Sequence, residues 1–492
     1  MVILYNPVSS AGKKPVLPFS LLAPAALLEQ DGIPYRIIDG NLLADSPLDT
    51  LDRALAETGA SILGVTVMPG PQLMEAVPLC REIRRRHPLL TIVWGGYFPS
   101  QHYQVCLESG LVDFVIRGHG EHTFLDLVRR IRAGEDGAGT PGVAYRDKQT
   151  GTILAGCVPS LPDPDVPGGF PYHRLDMRRY VRTTFMGRTL SHHSSYGCPF
   201  FCNFCAVVNV SDGRWRAQTA QRTAEITHSL VKNWDLDAIE FFDNNFFVNE
   251  QRVAEFSERI SDLNIRWWGE GRIDTLLSFS DHTWNVMAQS GLAMVFLGAE
   301  SGSDQTLRQM NKGGKASRDK TLTIAEKMRS YGIIPEFSFV VGNPPDPEKD
   351  IAETLDFIRE VKKANPRSEI ILYLYTPVPL AGSLYEEARK SGFSFPRTLE
   401  EWISPDWREF SFRRSGTLPW INAEQLTRLR NFERVLNACY PTSTDVRLKG
   451  LRRTLLRAAG AWRYRLRFYH FPLELRFLQR WFAYQRPETS GF

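Results

Sequence analysis

Cysteine is scarce in this sequence, net charge is small and long hydrophobic runs are missing, and each shortage excludes a class of protein. Seven cysteines in 492 residues are too few, and odd in number, for a disulfide framework, so a reducing compartment, the cytoplasm, is expected. A formal net charge of +4 makes too weak a field to argue for a nucleic-acid partner, and none is expected. The apolar run 17–28 is broken by proline and too short to span a bilayer, and nothing else comes closer. The first residues lack a basic start followed by an apolar stretch and a cleavage site, so no signal peptide is expected. No internal repeat or low-complexity tract is visible.

What is present is a globular composition, 43% hydrophobic and 23% charged, in a chain long enough for two or three cores. Apolar runs at 2–5, 35–39, 61–68, 91–95 and 114–117 alternate with helical spacing such as that of 74–86. This βα alternation predicts a Rossmann-like parallel sheet over 1–158, with ligands beyond the carboxyl ends of its strands. The stretch Leu161-Pro-Asp-Pro-Asp-Val-Pro-Gly-Gly169 breaks both helix and strand and marks a linker, taken as 159–184. Apolar runs return at 190–194, 238–242, 266–269, 294–298, 334–341 and 370–375, predicting a partial (β/α)6 barrel over 185–400. The fold class is therefore α/β, followed by a helical, basic region over 401–492. There, 446–486 holds 11 Lys/Arg against the single acid Glu474, and Trp402, Trp407, Trp420, Trp462 and Trp481 are interspersed. Two readings fit: a helical cap whose basic side chains cover apolar surface while their heads stay wet, or an interfacial surface for anionic lipid or a polyanionic substrate.

The strongest local signal is Tyr196-Gly-Cys-Pro-Phe-Phe-Cys-Asn-Phe-Cys205, which sets Cys198, Cys202 and Cys205 in one short loop after a strand. Three thiolates in one short loop can ligate three irons of a cubane and leave the fourth open to a small molecule. A structural zinc site wants four closed ligands, and His192 and His193 precede the loop on a strand and alternate faces. Three of the seven cysteines within eight residues argue against accidental clustering of inert thiols. Cys80, Cys106, Cys157 and Cys439 are scattered and read as small core residues.

CxxxCxFC, with Phe204 before the last cysteine, resembles the hallmark of the radical S-adenosylmethionine (SAM) superfamily. Phe242-Asp-Asn-Asn-Phe-Phe-Val-Asn249, Gly298-Ala-Glu-Ser-Gly-Ser303, Met310-Asn-Lys-Gly313 and Pro379-Leu-Ala-Gly-Ser-Leu-Tyr385 resemble segments of the subfamily that carries an N-terminal B12-binding domain. With the first unit, the likeness extends over most of 1–392. It implies a 4Fe-4S cluster on Cys198, Cys202 and Cys205, SAM chelating the open iron, and reductive cleavage to a 5'-deoxyadenosyl radical. Glu300 and Ser301 match the position that holds the polar groups of SAM, a carboxylate suiting an ammonium; capping the following helix is the alternative for Glu300. Asp243 and Asn244, with Asn245, end a strand and either face the ligand or cap a turn. Arg272 meets the SAM carboxylate or the substrate, or makes an ordinary surface ion pair. Gly342 admits a ligand to the backbone or makes a turn.

The same likeness implies cobalamin contacts in loops after the first unit's strands: Thr66 and Met68; Gly95, Gly96 and Tyr97; and Gly118, Gly120 and Glu121. Glycines there suit close packing against a corrin, and phosphate-bearing groups lie on NH groups at helix starts. The DxHxxG motif that supplies a lower axial histidine is absent, and the loop after the first strand reads Asn6-Pro-Val-Ser-Ser10. Many members of the subfamily share that absence, which leaves the axial face unassigned and a degenerate, cofactor-free domain as the alternative. The implied activity is cobalamin-dependent C-methylation of an unactivated carbon in a bulky metabolite. The alternatives are oxidative cyclisation or rearrangement, resembling anaerobic magnesium-protoporphyrin ester cyclases, and a non-catalytic cobalamin or iron-sulfur sensor. Implied partners are a small-molecule substrate, lipid or tetrapyrrole in kind, an external electron donor such as flavodoxin or ferredoxin, and a membrane met peripherally through the basic C-terminus.

Overall fold

The apolar runs near the N-terminus are buried on both faces: every residue of β1 (Val2–Asn6) and β3 (Ile62–Thr66) is buried, as in a parallel sheet covered by helices on both sides. The structure is a computed structural model, described here for residues 1–9, 15–165, 169–312, 315–380, 382–411, 418–445 and 447–484. Ser10 of the first loop, 166–168 of the linker, Gly313 and Ala381 of the family-like segments, and Val446, Gln485 and Arg486 of the basic stretch lie outside the described residues. β2 (Tyr35–Asp39), β1, β3, β4 (Thr91–Gly95) and β5 (Phe114–Ile116) run parallel in that order, so the strand order reverses between β1 and β3. β6 (Val143–Arg146) and β7 (Ile153–Ala155) extend this sheet as antiparallel strands. Both are short and partly exposed, so no apolar run announces them.

The second sheet curls into a half-barrel in the order β16-β15-β14-β13-β12-β9-β8. Its parallel strands are β9 (Gly187–His192), β12 (Ala238–Phe241), β13 (Arg266–Gly271), β14 (Leu292–Glu300), β15 (Ile334–Val341) and β16 (Glu369–Leu374), with β8 (Arg182–Thr184) antiparallel to β9. β8 falls within the stretch read as a linker. Three residues are too few to show a period. Outside the curl, Trp267 packs against Phe241, Phe246, Phe247 and Phe256 at centroid distances of 6.3, 5.6, 5.9 and 5.5 Å. This aromatic layer backs the turn after β12.

Several contacts tie the sheets together. The Tyr180 hydroxyl, buried ahead of β8, donates to Asp39 Oδ2 at 2.8 Å, and Asn6 Nδ2 donates to Asp39 Oδ1 at 2.9 Å. From the other end of the chain, Leu399 and Trp402 enter the core of the first sheet, with Trp402 edge-on to Phe98 at 5.1 Å. Trp407 packs at 5.0 Å from Trp402, and Trp420 donates to Gly342 O at 2.9 Å. Three of the five C-terminal tryptophans are thus used in packing. The helices Ala423–Cys439, Gly450–Arg465 and Leu473–Trp481 close the chain. Among the described residues no helix is long and apolar enough to cross a membrane.

Replacing Tyr180 by phenylalanine leaves one buried oxygen of Asp39 without its donor. The expected cost is about 1–3 kcal/mol, measured as a lower urea midpoint at unchanged secondary structure.

Candidate active site

Backbone geometry sets the cysteine loop. β10 (Ser195–Gly197) pairs antiparallel with β11 (Trp215–Ala217), and Gly197, at φ +74°, is so close to Arg214 that a Cβ there would lie 2.2 Å from its carbonyl oxygen. Only glycine satisfies both conditions, and Cys198 follows it directly. The loop is then stapled to the segment before Lys312: Asn203 N donates to Met310 O at 3.0 Å, Asn203 Nδ2 to Gln309 O at 2.9 Å, and Asn311 Nδ2 to Phe201 O at 3.1 Å. Cys205 N donates to Cys202 O at 3.1 Å, and Phe204 packs half-buried against the main core.

The predicted site residues divide by what they touch. Asp243 is buried and accepts from Ser194 N, Ser194 Oγ and Ser195 Oγ at 2.6, 2.6 and 2.7 Å, so its carboxylate braces the strand entering the loop. Asn244 is exposed, whereas Asn245 is buried, with Nδ2 3.8 Å from Cys198 Sγ and Oδ1 unpartnered. Arg272 is 6% exposed. It bonds bidentately to Asp274 at 2.9 and 3.0 Å, donates to Lys312 O at 2.9 Å, reaches Cys202 Sγ at 3.4 Å and lies 3.8 Å over the Phe200 ring. The ordinary surface ion pair weighed for Arg272 does not describe it. Glu300 sits at a bulge of β14 with φ +66°, a conformation costly for a residue with a side chain. Its Oε1 pairs with buried Lys312 Nζ at 2.7 Å, while the following helix, Asp304–Gln309, begins after Ser303, so Glu300 is no helix cap. Ser301 Oγ donates to Asp350 Oδ1 at 3.1 Å, and Gly342 N donates to Asp350 Oδ2 at 2.8 Å. One buried carboxylate therefore joins the ends of β14 and β15.

Burial pushes the Cys198 thiol above its ordinary value, against the Phe200 NH, Asn245 and Arg272. It pushes Cys202 up likewise, against the charges of Lys312 and Arg272. His192 has both ring nitrogens engaged, by Tyr172 Oη at 3.2 Å and Gln218 Oε1 at 3.1 Å, and burial lowers it to about 4. His193 lies between Phe19 and Tyr196 at 5.9 and 5.4 Å. Neither histidine is set to close a zinc site with the cysteines.

Below the loop, the strand alternation of β13 exposes a carboxyl. A Cβ on Gly269 would lie 3.3 Å from the Phe247 ring, and one on Gly271 2.7 Å from it, so both glycines face the outer aromatic layer. Glu270, between them, must face the barrel lumen with Trp268 and Arg272. Trp268 Nε1 donates to Glu336 Oε2 on β15 at 3.3 Å. Glu270 keeps a water-accessible edge and has no hydrogen-bond or ion-pair partner among the described residues. Burial, then the charge of Asp243, pushes it up to about 8.

The glycine loops of the first sheet meet the cysteine loop. A Cβ on Gly118, at φ +75°, would lie 2.7 Å from Val158 Cγ1 and 3.6 Å from Val210 O. His119 packs at 4.7 Å from Tyr196, and Asn209 Nδ2 donates to Gln101 Oε1 at 2.5 Å. Gly118 N donates to Ser100 Oγ at 3.0 Å, linking the loops after β4 and β5. Gly96 (φ +97°) lies beside Thr66, whose hydroxyl donates to Ser20 Oγ at 3.0 Å. Gly95 and Tyr97 are half-buried, Met68 is exposed, and Gly120 packs on Ile116. Glu121 is buried with Oε2 unpartnered, and Gln101 Nε2, His193 Nε2 and Asn245 Oδ1 are orphaned in the same junction.

A sequence profile of the B12 binding domain matches residues 10–128, and one of the Radical SAM superfamily matches residues 193–358. The chain belongs to the radical SAM enzymes that carry a B12-binding domain. It is 25% identical over 377 residues to an uncharacterized methyltransferase of Pyrococcus horikoshii, covering 73% of this chain and 78% of the relative. It is 26% identical over 279 residues to the anaerobic magnesium-protoporphyrin IX monomethyl ester cyclase of Synechocystis, covering 56% and 54%. Its fold superposes on that of the radical SAM methyltransferase TsrM of Kitasatospora setae with a TM-score of 0.65 at 18% identity, covering 80% of this chain and 76% of the other. A 4Fe-4S cluster, SAM and cobalamin are accordingly the cofactors of this radical SAM enzyme. The residues present fit them. Soft thiols suit iron and sulfide, and orphaned polar atoms of Gln101, Glu121, His193 and Asn245 are among those where the two units meet.

Sequence reasoning missed Asn245 as the amide beside Cys198, Lys312, Asp350 and Glu270. Asn245 and Lys312 stood inside family-like segments, and Glu270 was marked by its flanking glycines. Asp350 carried no signal, since it serves two strand ends from the first turn of the helix Pro347–Ala364.

Because the folded chain holds the Glu270 proton to about pH 8 and an unfolded glutamate releases it near pH ~4.3, stability from this group is full below the lower value and is lost as pH rises through the upper. The melting-temperature advantage of the natural chain over Glu270→Gln is therefore expected to shrink steadily between those limits. A pH-independent difference would contradict the assignment.

Proposed function

We propose that this radical SAM enzyme is a cobalamin-dependent C-methyltransferase acting on an unactivated carbon of a bulky, largely apolar metabolite, lipid or tetrapyrrole in kind. The observation that carries this reading is the junction itself: Gly118 and His119 of the first unit abut Val210 and Tyr196, the flanks of the cysteine loop. When bound, the cluster with SAM supplies hydrogen-abstraction chemistry and cobalamin supplies a methyl carrier. A substrate held at this junction would lie between the two units.

The chain's own groups do the positioning. Cys198, Cys202 and Cys205 hold three irons, with Phe204 packed behind them and Asn245 offering an amide to Cys198. Glu300, fixed by Lys312, would offer its carboxylate to the amino group of SAM, and Arg272, fixed by Asp274, would set a cation beside the thiolates. Asp243, Ser301 and Gly342 act as positioning residues, the last two through Asp350. Asn244, being exposed, is assigned a turn role. Thr66, Met68, Gly95, Gly96, Tyr97, Gly118, Gly120 and Glu121 border the cobalamin side, the glycines by letting a flat ring approach the backbone. Glu270 faces the lumen as a neutral carboxyl able to donate a hydrogen bond to substrate. An external one-electron donor of the flavodoxin or ferredoxin kind completes the system in the cytoplasm, and the basic C-terminal region brings the enzyme to a membrane surface.

Anaerobic protein reconstituted with iron, sulfide, cobalamin and SAM, supplied with lipid or tetrapyrrole acceptors, is expected to yield a product heavier by one methylene unit, with 5'-deoxyadenosine and S-adenosylhomocysteine in equal amounts. 5'-Deoxyadenosine without S-adenosylhomocysteine would point to cyclisation or rearrangement, and neither product to a sensor. Cys198→Ala, Cys202→Ala and Cys205→Ala are each expected to abolish both SAM-derived products along with the cluster's visible absorption.

A further inference from the structure

Exposed apolar side chains are concentrated in one short part of the molecule. Nine of the thirteen exposed large apolar residues among those described lie within 451–481, with Phe471 78%, Leu451 73% and Trp481 69% accessible. Single apolar residues scattered over a surface need no explanation, whereas a cluster of this kind marks a contact surface.

The packing fixes which way the cluster faces. In the helix Gly450–Arg465, Leu456, Gly460 and Tyr464 face the body of the protein, and a Cβ on Gly460 would lie 2.6 Å from Cys439 N. So close an approach to the helix Ala423–Cys439 allows little rotation. Leu451, Leu455, Ala458 and Trp462, at helical spacing, therefore form a stripe on the opposite, exposed side. In the helix Leu473–Trp481, Leu475 is buried while Leu473, Phe477 and Trp481 share the exposed side.

The turn between these helices is built to hold its aromatics outward. Buried Arg463 donates to Phe468 O, His470 O and Phe471 O at 3.4, 2.8 and 3.3 Å and pairs with Glu474. Phe471 itself has φ +44°, which is uncommon and costly for a bulky residue. Trp462 stacks on Phe468 at 5.9 Å, carrying the stripe of the first helix into the turn. A second anchor, Arg467 with Asp356 at 2.9 Å, ties the turn to the half-barrel.

Charge identifies the occupant. Arg452, Arg457, Arg465, Arg476 and Arg480 are exposed and have no acidic partner among the described residues; Glu474, the acid between 446 and 486, is taken by Arg463. A second copy docking through the same face would bring these arginines onto one another. Polyanionic nucleic acid would match the charge but not Leu451, Leu455, Leu466 and Phe471. Apolar tips flanked by unpaired cations match a surface with an apolar interior and anionic headgroups. We propose that the two helices and their turn are a docking face for an anionic lipid bilayer. This deepens the reading of a bulky apolar substrate met at a membrane and rests on that part alone, since methyl transfer is not required for it.

The test is flotation of the full-length reconstituted enzyme with vesicles of phosphatidylcholine alone or mixed with phosphatidylglycerol. Binding to the mixed vesicles that weakens with added salt is expected. Arg476→Glu with Arg480→Glu is expected to lower partition onto mixed vesicles by at least ~25-fold, at about fivefold per arginine near an anionic surface. Phe471→Ser with Phe477→Ser and Trp481→Ser is expected to lower it by more than about tenfold, with iron and cobalamin content unchanged as evidence of intact folding. No flotation, or equal partition of the natural chain and both variants, would overturn the proposal. So would sedimentation showing a dimer that the triple variant dissociates while no vesicles are bound. Methylation assayed without vesicles reads the catalytic proposal separately: product without flotation sinks only the docking face, and flotation without product only the methyl transfer.

Discussion

Three thiols in a loop offer one ligand fewer than a cubane has corners, and the surrounding structure is arranged to keep that loop in one shape while leaving the remaining side open. Burial disfavours the thiolate form of Cys198 and Cys202, and the cations that oppose it, Arg272 and Lys312, are themselves buried. A buried cation persists only if paired and hydrogen-bonded. Asp274 and Glu300 supply the pairs, and the strained backbone of Glu300 is the cost of aiming its carboxylate inward. Removing either acid would leave an uncompensated charge next to the thiols, so the loop and its two ion pairs form a single electrostatic unit.

The junction between the two sheets follows from topology. In the first sheet the loops after β3, β4 and β5 lie side by side because those strands are neighbours, and helix coverage of both faces leaves the carboxyl edge as the place for a ligand. In the half-barrel the cysteine loop follows β9, on the corresponding edge. Asp39 to Tyr180 on one flank and Trp402 against Phe98 on another hold the two edges together. The side-chain atoms Gln101 Nε2, Glu121 Oε2, His193 Nε2 and Asn245 Oδ1 at this junction are buried without a hydrogen-bond partner.

The C-terminal region divides its aromatic residues by physical role. Trp402, Trp407 and Trp420 fill space between the half-barrel and the first sheet, while Trp462 and Trp481 stand on the exposed side of helices whose opposite side is packed. Composition alone treats the five alike. Only the contacts show that the early ones are packed and the later ones exposed.

Much of the fold was legible because its signals are local and periodic. Continuous apolar runs marked all five parallel strands of the first sheet and the six of the half-barrel, with ends within a few residues of those observed, and the three-cysteine spacing carried its chemistry in eight residues. β6, β7, β8 and the β10–β11 ribbon escaped because each is short and largely polar or part-exposed, with no apolar run that stands out. The site beyond the cysteines was only half legible. Glu300 and Arg272 stood at strand ends as read, yet their partners, Lys312 and Asp274, and the bracing roles of Asp243 and Ser301, depend on which loops the half-barrel brings together. The sequence by itself determined the fold class and the three-cysteine loop, since both depend on neighbours in the chain. Tertiary structure decided which charges are paired, which carboxyl faces the lumen and which aromatics meet solvent, because burial and pairing are properties of residues distant in sequence and adjacent only in space.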